Sequence, residues 1–251
     1  MALLGHWVQH HGAALCAGVA TTALCLQGHL HHDKLPRTPP AFRLPATPKE
    51  CVFFCAHRTG PHAQFSNWFP ENTLEAKGHW SPLGSWCWCS EQSFIEAKAH
   101  FFGAPDTVAK LVAIDASDDP QISKHRAAEI KQLGRTGIAA FDAAEWDDAC
   151  FEIMTKTLLA KFEQHESLQR LLLDTGEAYI VESAHYDAKW GIGLRHFASE
   201  AGPGAVAADG SWSVRPECWP SDGNLLGRAL MATRSILRQR MLLCEYARLS
   251  Q

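Results

Sequence analysis

A glutamate and a lysine lie seven residues apart in the segment Glu91–Lys98, and they supply groups for acid–base and nucleophilic chemistry. Seven residues make about two helical turns, so both side chains project from one side, with Cα atoms roughly 10 Å apart. A carboxylate can move protons, and an amine can attack a carbon such as C1 of a sugar. Phe94 and Ile95 add an apolar face beside the pair. The spacing alone also fits an ordinary solvated pair, because Glu and Lys are common helix formers.

The elements around this pair predict a helix-rich α+β domain with a small β-sheet rather than alternating βαβ units. Ser90 predicts the N-cap of the helix that contains the pair, and Gly103 predicts its end. Asp119 and Pro120 predict the start of a second helix, which runs to Gly134. Apolar spacing predicts further helices over 144–165, 167–173 and 223–249, strands over 52–55 and 179–182, and a hairpin over 80–88.

The bulk composition limits the possible functions. The chain has 251 residues, 46% hydrophobic and 20% charged, which is typical of a globular protein with one substantial core. A formal net charge of -4 gives no broad basic face, which argues against a long contact with duplex nucleic acid. A nucleic-acid end or a single modified base stays possible as a substrate. The chain has no P-loop, Rossmann glycine pattern, HExxH or Gly-x-Ser-x-Gly elbow, and the enzyme classes that depend on them are not predicted.

Nine cysteines and fourteen histidines raise the question of a metal site. The pairs Cys51–Cys55 and Cys87–Cys89 have neither the C-x-x-C spacing nor the matching histidine pair of a zinc site. The histidines at 29, 31 and 32 lie in a polar segment outside the expected core. We therefore predict no bound metal, no cofactor, and reduced thiols that are mostly buried.

The first fifty residues differ in composition from the rest. No Lys, Arg, Asp or Glu occurs before Asp33, residues 12–26 are small and apolar, and residues 35–48 contain five prolines. A basic n-region is missing, and the apolar run is short for a membrane span. The sequence predicts a low-complexity, proline-rich extension over 1–50, either a targeting segment or a disordered tail, and a folded domain over 51–251. We expect a cytoplasmic protein unless the extension directs it elsewhere; the oligomeric state stays open.

A series of ordered sequence blocks resembles the NADAR (YbiA-like) family. Phe65–Pro70 (FSNWFP) is similar to its FSN-aromatic-P motif, and Ser90–Lys98 contains its E-x-x-F-x-x-x-K pattern. Phe141 departs from the family, because many members have a second basic residue near that position. The resemblance covers residues 51–238. Further matching blocks are Leu133–Arg135 (LGR), Trp146–Asp147, Met154 with Leu159–Gln164, Leu172–Glu182 (LLDTGEAYIVE), Asp187–Gly193 (DAKWGIG) and Gly223–Gly227 (GNLLG).

The resemblance implies an N-glycosidase, which detaches a nitrogen heterocycle from ribose C1. Some members remove ADP-ribose from modified guanine, and others cleave phosphorylated ribosylamino-pyrimidine intermediates of riboflavin synthesis. We expect the first activity, on ADP-ribosylated guanine in nucleic acid or nucleoside, because no riboflavin-pathway domain is fused to the family domain within this chain. The alternatives are the riboflavin-intermediate reaction and a non-catalytic module that binds ADP-ribose or NAD.

Three residues match the catalytic group that the resemblance implies. The Lys98 amine would capture C1, with a Schiff base to the opened ribose as one route, Glu91 would move protons, and Asp187 would stabilise charge or position the ribose hydroxyls. The competing assignment makes Glu91 the essential group and Lys98 an orienting cation. A nucleophilic lysine must be partly neutral. Burial beside Phe94 and Trp190 would lower its pKa, whereas the Glu91 carboxylate would raise it, and the sequence leaves this balance open.

One wall of the pocket is expected from the DAKWGIG block. Trp190 can stack on a heterocycle, and Gly191 and Gly193 let backbone N–H groups approach phosphate or ribose. The alternative is a turn with a core tryptophan.

The opposite wall is expected from the FSNWFP block. Phe65, Asn67 and Trp68 would close that side, with Asn67 donating to ribose or base, unless they only pack a buried loop. The remaining candidates are Arg58 and Arg135 as phosphate contacts, and Asn224 as a pocket residue or the cap of the last helix.

Overall fold

The structure, a computed structural model, describes residues 35, 38–39, 44–55, 60, 62–193, 206–207 and 209–250. In these ranges the fold is the predicted helix-rich α+β arrangement with a small amount of sheet. The helices are α1 (Ser90–Phe101), α2 (Pro105–Val112), α3 (Pro120–Thr136), α4 (Ala143–Gln164), α5 (Glu166–Asp174) and α6 (Leu225–Leu249). The strands are β1 (Cys51–Phe54), β2 (His79–Trp80), β3 (Trp86–Cys87) and β4 (Tyr179–Glu182), with 3₁₀ turns at Pro48–Glu50, Ala63–Phe65, Glu71–Thr73 and Pro216–Cys218.

Helix α4 lies at the centre of the fold and packs against α1, α5, α6 and β2. Its apolar residues recur at helical spacing, and Met154, Leu158 and Phe162 are completely buried on the inward side. Asp142 starts the helix, because its carboxylate accepts a hydrogen bond from the Glu145 N–H at 2.9 Å. The smaller elements assemble around this helix.

Strands β1 and β4 form a parallel pair in which Phe54 lies opposite Glu182. Successive residues of a strand face opposite sides. Ile180 is buried in the main core, whereas Val181 packs with Trp219 in a smaller cluster on the other side. Glu182 is two residues after Ile180, so it lies on the side of the sheet that faces the main core.

Two glycines permit close approach between elements. A Cβ atom on Gly134 of α3 would lie 2.6 Å from Ile95 Cδ1 of α1. A Cβ atom on Gly227 of α6 would lie 2.1 Å from the Ile180 carbonyl oxygen of β4. Both distances are well inside van der Waals contact, so glycine at these positions sets how closely α3 approaches α1 and α6 approaches β4.

Most predicted elements are confirmed, with boundaries that differ by one or two residues. Asp119 is the N-cap of α3, and its carboxylate accepts a hydrogen bond from the Gln121 N–H at 2.7 Å. Ser90 is wrong as the N-cap of α1: Cys89 has that place, and the Asn67 carbonyl accepts the Glu91 N–H that a capping side chain would bind. The sequence did not indicate α2, whose eight residues are too few to show a helical period.

Most of the predicted extension over 1–50 lies outside the described residues. Among the helices in the described ranges, none combines the length and the apolar character that a bilayer crossing requires.

Candidate active site

Glu91 lies buried in the first turn of α1, beneath the loop that precedes the β2–β3 hairpin. The Asn67 and Trp68 side chains hydrogen-bond to its carboxylate. Burial raises the pKa of Glu91, against the opposing effects of the Lys131 ammonium and the Asn67 hydrogen bond, and the Asp187 carboxylate adds to the rise. Glu91 therefore retains a proton more readily than a carboxyl group in water, as acid–base chemistry requires.

Lys98 projects from the last turn of α1 toward α3 and the start of α4. Its Nζ donates a hydrogen bond to the Gly134 carbonyl oxygen at 2.8 Å. The same atom lies 4.1 Å from the centre of the Phe141 ring and 5.3 Å from that of Trp146. Phe141, at the position where the sequence departs from the family, is thus an aromatic contact of the candidate nucleophile.

The sequence left open whether burial or the Glu91 carboxylate has the larger effect on the Lys98 pKa. Burial lowers this pKa, and the nearby Lys189 ammonium lowers it further. The Cys150 thiol and the Glu91 carboxylate act in the opposite direction but do not prevent the decrease. Desolvation therefore outweighs the carboxylate, which increases the fraction of neutral, nucleophilic amine.

The pairing between Glu91 and Lys98 is looser than their spacing predicts. The cation with the largest effect on Glu91 is Lys131 of α3, whose Nζ lies 5.6 Å from the centre of the Trp68 ring. Sequence reasoning missed Lys131, because a lysine on another helix approaches Glu91 only through the packing of α3 on α1. The charge of Glu91 still acts on Lys98 across the site.

Glu182, also missed by sequence reasoning, brings a third carboxyl group to Glu91 and Asp187. It is the last residue of β4 and is half-buried. Burial raises the pKa of Glu182 to about 8; the Asp187 and Glu91 carboxylates contribute to the rise, and the Lys131 ammonium opposes it. The available signal is the Val-Glu pair that ends the LLDTGEAYIVE block, where the sequence predicts a strand and a match to the family but no role for the glutamate.

The loop after β4 carries Asp187 and Trp190. Asp187 Oδ1 accepts a hydrogen bond from the Trp190 N–H at 2.8 Å and one from the Lys189 N–H at 3.1 Å, so this carboxylate orders its own loop. The Trp190 ring lies edge-on to Phe94, with centroids 5.1 Å apart. The rings recorded over the Lys98 amine are those of Phe141 and Trp146, whereas the predicted Phe94 packs on Trp146 with centroids 5.3 Å apart.

Gly191 and Gly193 allow tight packing of this loop. Gly193 has φ 61°, and a Cβ atom on it would lie 2.4 Å from Ala188 Cα. A Cβ atom on Gly191 would lie 2.9 Å from the Glu182 carbonyl oxygen. The expectation that these glycines present N–H groups to phosphate is wrong for Gly193, because its N–H donates to the Ala184 carbonyl at 3.0 Å.

Asn224 connects α6 to β4. Its Oδ1 accepts the Glu182 N–H at 2.9 Å, and its Nδ2 donates to the Ile180 carbonyl at 2.9 Å. It is the N-cap residue of α6 but makes no side-chain capping bond, and its φ is 55°. Asn224 therefore positions Glu182 and does not cap the helix as expected.

The other predicted residues have different surroundings. Phe65 is completely buried and lies edge-on to Phe54, with centroids 5.9 Å apart, so it is a core residue rather than a pocket wall. Arg135 is exposed on α3, one residue after the carbonyl that binds Lys98. Arg58 lies outside the described residues.

A buried ionic network anchors the loop that contacts Glu91. Glu71 Oε2 lies 2.6 Å from His79 Nδ1 and 3.1 Å from His165 Nε2, and Glu71 Oε1 lies 3.8 Å from Lys161 Nζ. Lys161 Nζ also donates to the Gln64 carbonyl at 2.8 Å. Burial alone would raise the pKa of Glu71, but the electrostatic effect and hydrogen bond of His79, the hydrogen bond of His165 and the Lys161 ammonium hold it at about 2. Both ends of the loop with Asn67 and Trp68 are thereby fixed.

A cleft of about 470 Å³ adjoins the loop after β4 and is lined by His185, Tyr186, Ala188 and Gly193. This volume is within the range of small-ligand sites. Within the described residues, no three His, Cys, Asp or Glu side chains are grouped to hold a metal ion. The described cysteines are free thiols.

Comparisons with known proteins agree on one family. The NADAR domain model matches residues 53–238. The N-glycosidase R617 of Acanthamoeba polyphaga mimivirus is 32% identical over 180 residues, which cover 71% of this chain and 89% of that protein. The N-glycosidase Npun_R5314 of Nostoc punctiforme is 28% identical over 133 residues, or 53% of this chain and 74% of that protein.

The N-glycosidase YbiA of Escherichia coli (strain K12) is 48% identical over a shorter match of 48 residues, which cover 19% of this chain and 30% of that protein. The NMR structure of E. coli YbiA superposes with a TM-score of 0.50 at 22% sequence identity, covering 82% of this chain and 95% of that one. At this identity the superposition supports the fold alone.

Proposed function

The chain belongs to the NADAR family, and we propose that it removes ADP-ribose from ADP-ribosylated guanine in nucleic acid or in a nucleoside. Its relatives are named N-glycosidases, and N-glycosidase activity is the general function of the chain. One observation carries the proposal: Lys98 has a lowered pKa and is acted on by Glu91, and Glu91 is grouped with Glu182 and Asp187 next to the loop that lines the cleft. That combination supplies a nucleophile and acid–base groups for one bond at ribose C1.

The chemistry follows from the charges that develop during cleavage. Breaking an N-glycosidic bond creates positive charge at C1 and negative charge on the leaving nitrogen. The neutral Lys98 amine uses its lone pair to bond C1, while the electrons of the C1–base bond stay with the base, which accepts a proton. Loss of a proton from the new amine and opening of the ribose give an imine. Water then hydrolyses the imine, which releases ADP-ribose and restores Lys98.

The side chains around Glu91 suit a purine with a diphosphate-linked sugar. Guanine presents N–H donors on its edge, and carboxylates such as Glu91 accept them. The half-buried Trp68 and Trp190 rings have the flat apolar faces on which a base can stack. Lys131 and Arg135 on α3 supply positive charge for a diphosphate.

The lowered pKa of Lys98 favours an enzyme over a non-catalytic reader. A binding module gains affinity for phosphate from a charged ammonium and has no use for a neutral amine. Burial of Lys98 against Phe141 and Trp146 reduces that charge.

A two-substrate assay tests the proposal. The protein is incubated with ADP-ribosylated guanosine and, separately, with the ribosylamino-pyrimidine phosphate, and the released sugar is measured by chromatography. We expect ADP-ribose from the first substrate, loss of turnover in Lys98→Ala with unchanged ADP-ribose affinity, and normal turnover in Lys124→Ala, a control at an exposed residue of α3. Turnover of the pyrimidine substrate alone would establish the rival reaction, and ADP-ribose binding without turnover of either would establish a reader.

A further inference from the structure

We propose that Glu182 is a catalytic residue, the acid that protonates the leaving base nitrogen. This assignment deepens the proposed function and rests on it, because a proton donor is needed only where a base is expelled from ribose. Glu91 then serves the other proton transfers, those of the attacking amine and water. Position, neighbours and hydrogen bonding support this division of roles.

The position of Glu182 is fixed by its backbone. It ends β4 at the carboxyl edge of the parallel β1–β4 pair, the edge at which ligands bind in many α/β proteins. Its N–H donates to Asn224 Oδ1 at 2.9 Å, and its carbonyl accepts the Ile192 N–H at 3.0 Å. The alternation along β4 directs its side chain toward the face that carries Ile180, which is the side of α1 and α3.

The elements packed around β4 carry charged and titratable groups, of which only some lie close to Glu182. Lys131 of α3 is the cation that acts on it, and α6 places Arg228 and Arg234 at the opposite end of β4, near Tyr179 and Ala178. Glu182 and Glu91 thus share one nearby ammonium, and neighbouring carboxyl groups at such a site do not all ionise together. The groups that act on Glu182 or respond to it are Glu91 on α1, Lys131 on α3, Asp187 and Tyr186 after β4, and Cys55 after β1.

Hydrogen bonding indicates which carboxyl group holds the shared proton. Glu91 accepts hydrogen bonds from Asn67 and Trp68, which stabilise its ionised form, and Asp187 Oδ1 accepts two from backbone N–H groups. The Glu182 carboxyl receives no hydrogen bond from any residue that the structure describes. Its charged form is therefore less stabilised by hydrogen bonds than that of Glu91, in agreement with the rise of its pKa to about 8.

A protonated Glu182 completes the bond-breaking step. As the C1–base bond breaks, the base nitrogen keeps the electron pair and takes the Glu182 proton, which leaves a carboxylate near the positive charge at C1. Both hydrogens of the water that hydrolyses the imine return to the Lys98 nitrogen, and the proton that Glu91 took from the attacking amine restores Glu182. General acids are most effective when their pKa lies near the working pH, and their removal lowers rates by about 10²–10⁴-fold.

Two measurements test Glu182 separately. In wild type labelled with ¹³C at the glutamate carboxyl, the resonance that is missing from Glu182→Gln should titrate with a midpoint near 8. With ADP-ribosylated guanosine, wild-type kcat should fall above about that pH, and Glu182→Gln should lose this alkaline limb with kcat reduced about 10²–10⁴-fold. Glu129→Gln, at an exposed residue of α3, should match wild type. Glu182→Asp should retain the alkaline limb of kcat with a reduced maximum. This variant tests the assignment if Glu182→Gln does not fold.

The outcomes distinguish a failure of the Glu182 assignment from a failure of the proposed substrate. A midpoint near the ordinary value of 4.5, or wild-type kcat with an unchanged limb in folded Glu182→Gln, would overturn the assignment. A wild type that releases no ADP-ribose would overturn the proposed substrate. The titration, and the same pH profile with the ribosylamino-pyrimidine phosphate, would then decide the role of Glu182.

Discussion

Replacement of Glu71 by glutamine perturbs the buried ionic network that anchors the loop with Asn67 and Trp68, the loop that contacts Glu91. The Glu71 carboxylate is completely buried with His79, His165 and Lys161 as its charged or titratable partners. The amide has nearly the same shape, so packing is preserved while the negative charge is removed. Lys161, itself completely buried, then keeps its Gln64 carbonyl but loses the only carboxylate among its described contacts.

The pKa of Glu71 gives the size of the effect. A carboxyl group with an ordinary pKa of 4.5 and a folded-state pKa of about 2 stabilises the fold by about 3 kcal/mol at neutral pH. Removal of one partner from a buried ion pair typically costs about 3–5 kcal/mol, which agrees with this figure. For a domain of this size the melting temperature should fall by about 6–12 °C. The folded-state pKa is depressed, so this stabilisation is present above 4.5 and is lost as pH falls toward 2.

Urea denaturation, followed by tryptophan fluorescence, measures this prediction directly. Glu71→Gln should unfold at lower urea concentration at neutral pH, and its difference from wild type should narrow as the pH falls below 4.5. Glu75→Gln, at an exposed glutamate four residues later, controls for the loss of a charge in the same segment. A Glu71→Gln protein within about 0.5 kcal/mol of wild type would refute the reasoning, because that is the usual effect of a surface substitution.

Three further substitutions test the positioning of the site. Gly134→Ala should lower the free energy of unfolding by about 1–3 kcal/mol, because its Cβ would overlap Ile95. It should also lower kcat, because the carbonyl of this residue holds Lys98. Unchanged urea stability and kinetics would contradict this packing. Asn224→Ala should be less stable than Asn224→Gly by about 1 kcal/mol, because alanine is strained at φ 55°, and equal melting temperatures would argue against that strain. Glu182→Gln should gain stability relative to wild type as pH rises from 4.5 to about 8. The folded wild type binds the Glu182 proton more tightly than the unfolded chain, so it loses stability over this range while the amide variant does not. A stability difference that does not depend on pH in thermal melts would exclude the raised pKa.

Local patterns predicted the elements that hold the candidate catalytic residues. The helix with Glu91 and Lys98, the Asp119 cap and the strand over 179–182 follow from spacing and capping, which act between neighbours in the chain. The resemblance, and not local spacing, predicted Asn67 and Trp68 beside Glu91, and the Asn67 carbonyl does accept the Glu91 N–H at 2.9 Å. Short-range rules were sufficient for the elements but not for this contact.

The rest of the site depends on contacts between distant segments. Lys131 approaches Glu91 only because α3 packs closely on α1 through Gly134, and Glu182 joins them only through the pairing of β1 with β4. For Phe65 the packing alternative holds, and the sequence left it open because an aromatic residue in a motif gives no sign of which way it faces. The partners of a charged group, and therefore its pKa, are set by such packing.

Trapping with borohydride tests the central claim most directly. Wild type and Lys98→Arg are each incubated with ADP-ribosylated guanosine and a borohydride reductant, and the products are analysed by peptide mass spectrometry. Arginine retains the positive charge but does not form an imine, so it separates nucleophile from orienting cation. We predict that wild type releases guanosine and retains a reduced ADP-ribose adduct on the peptide with Lys98, and that the arginine variant does neither. Release of ADP-ribose by either protein without an adduct at Lys98 would contradict the account.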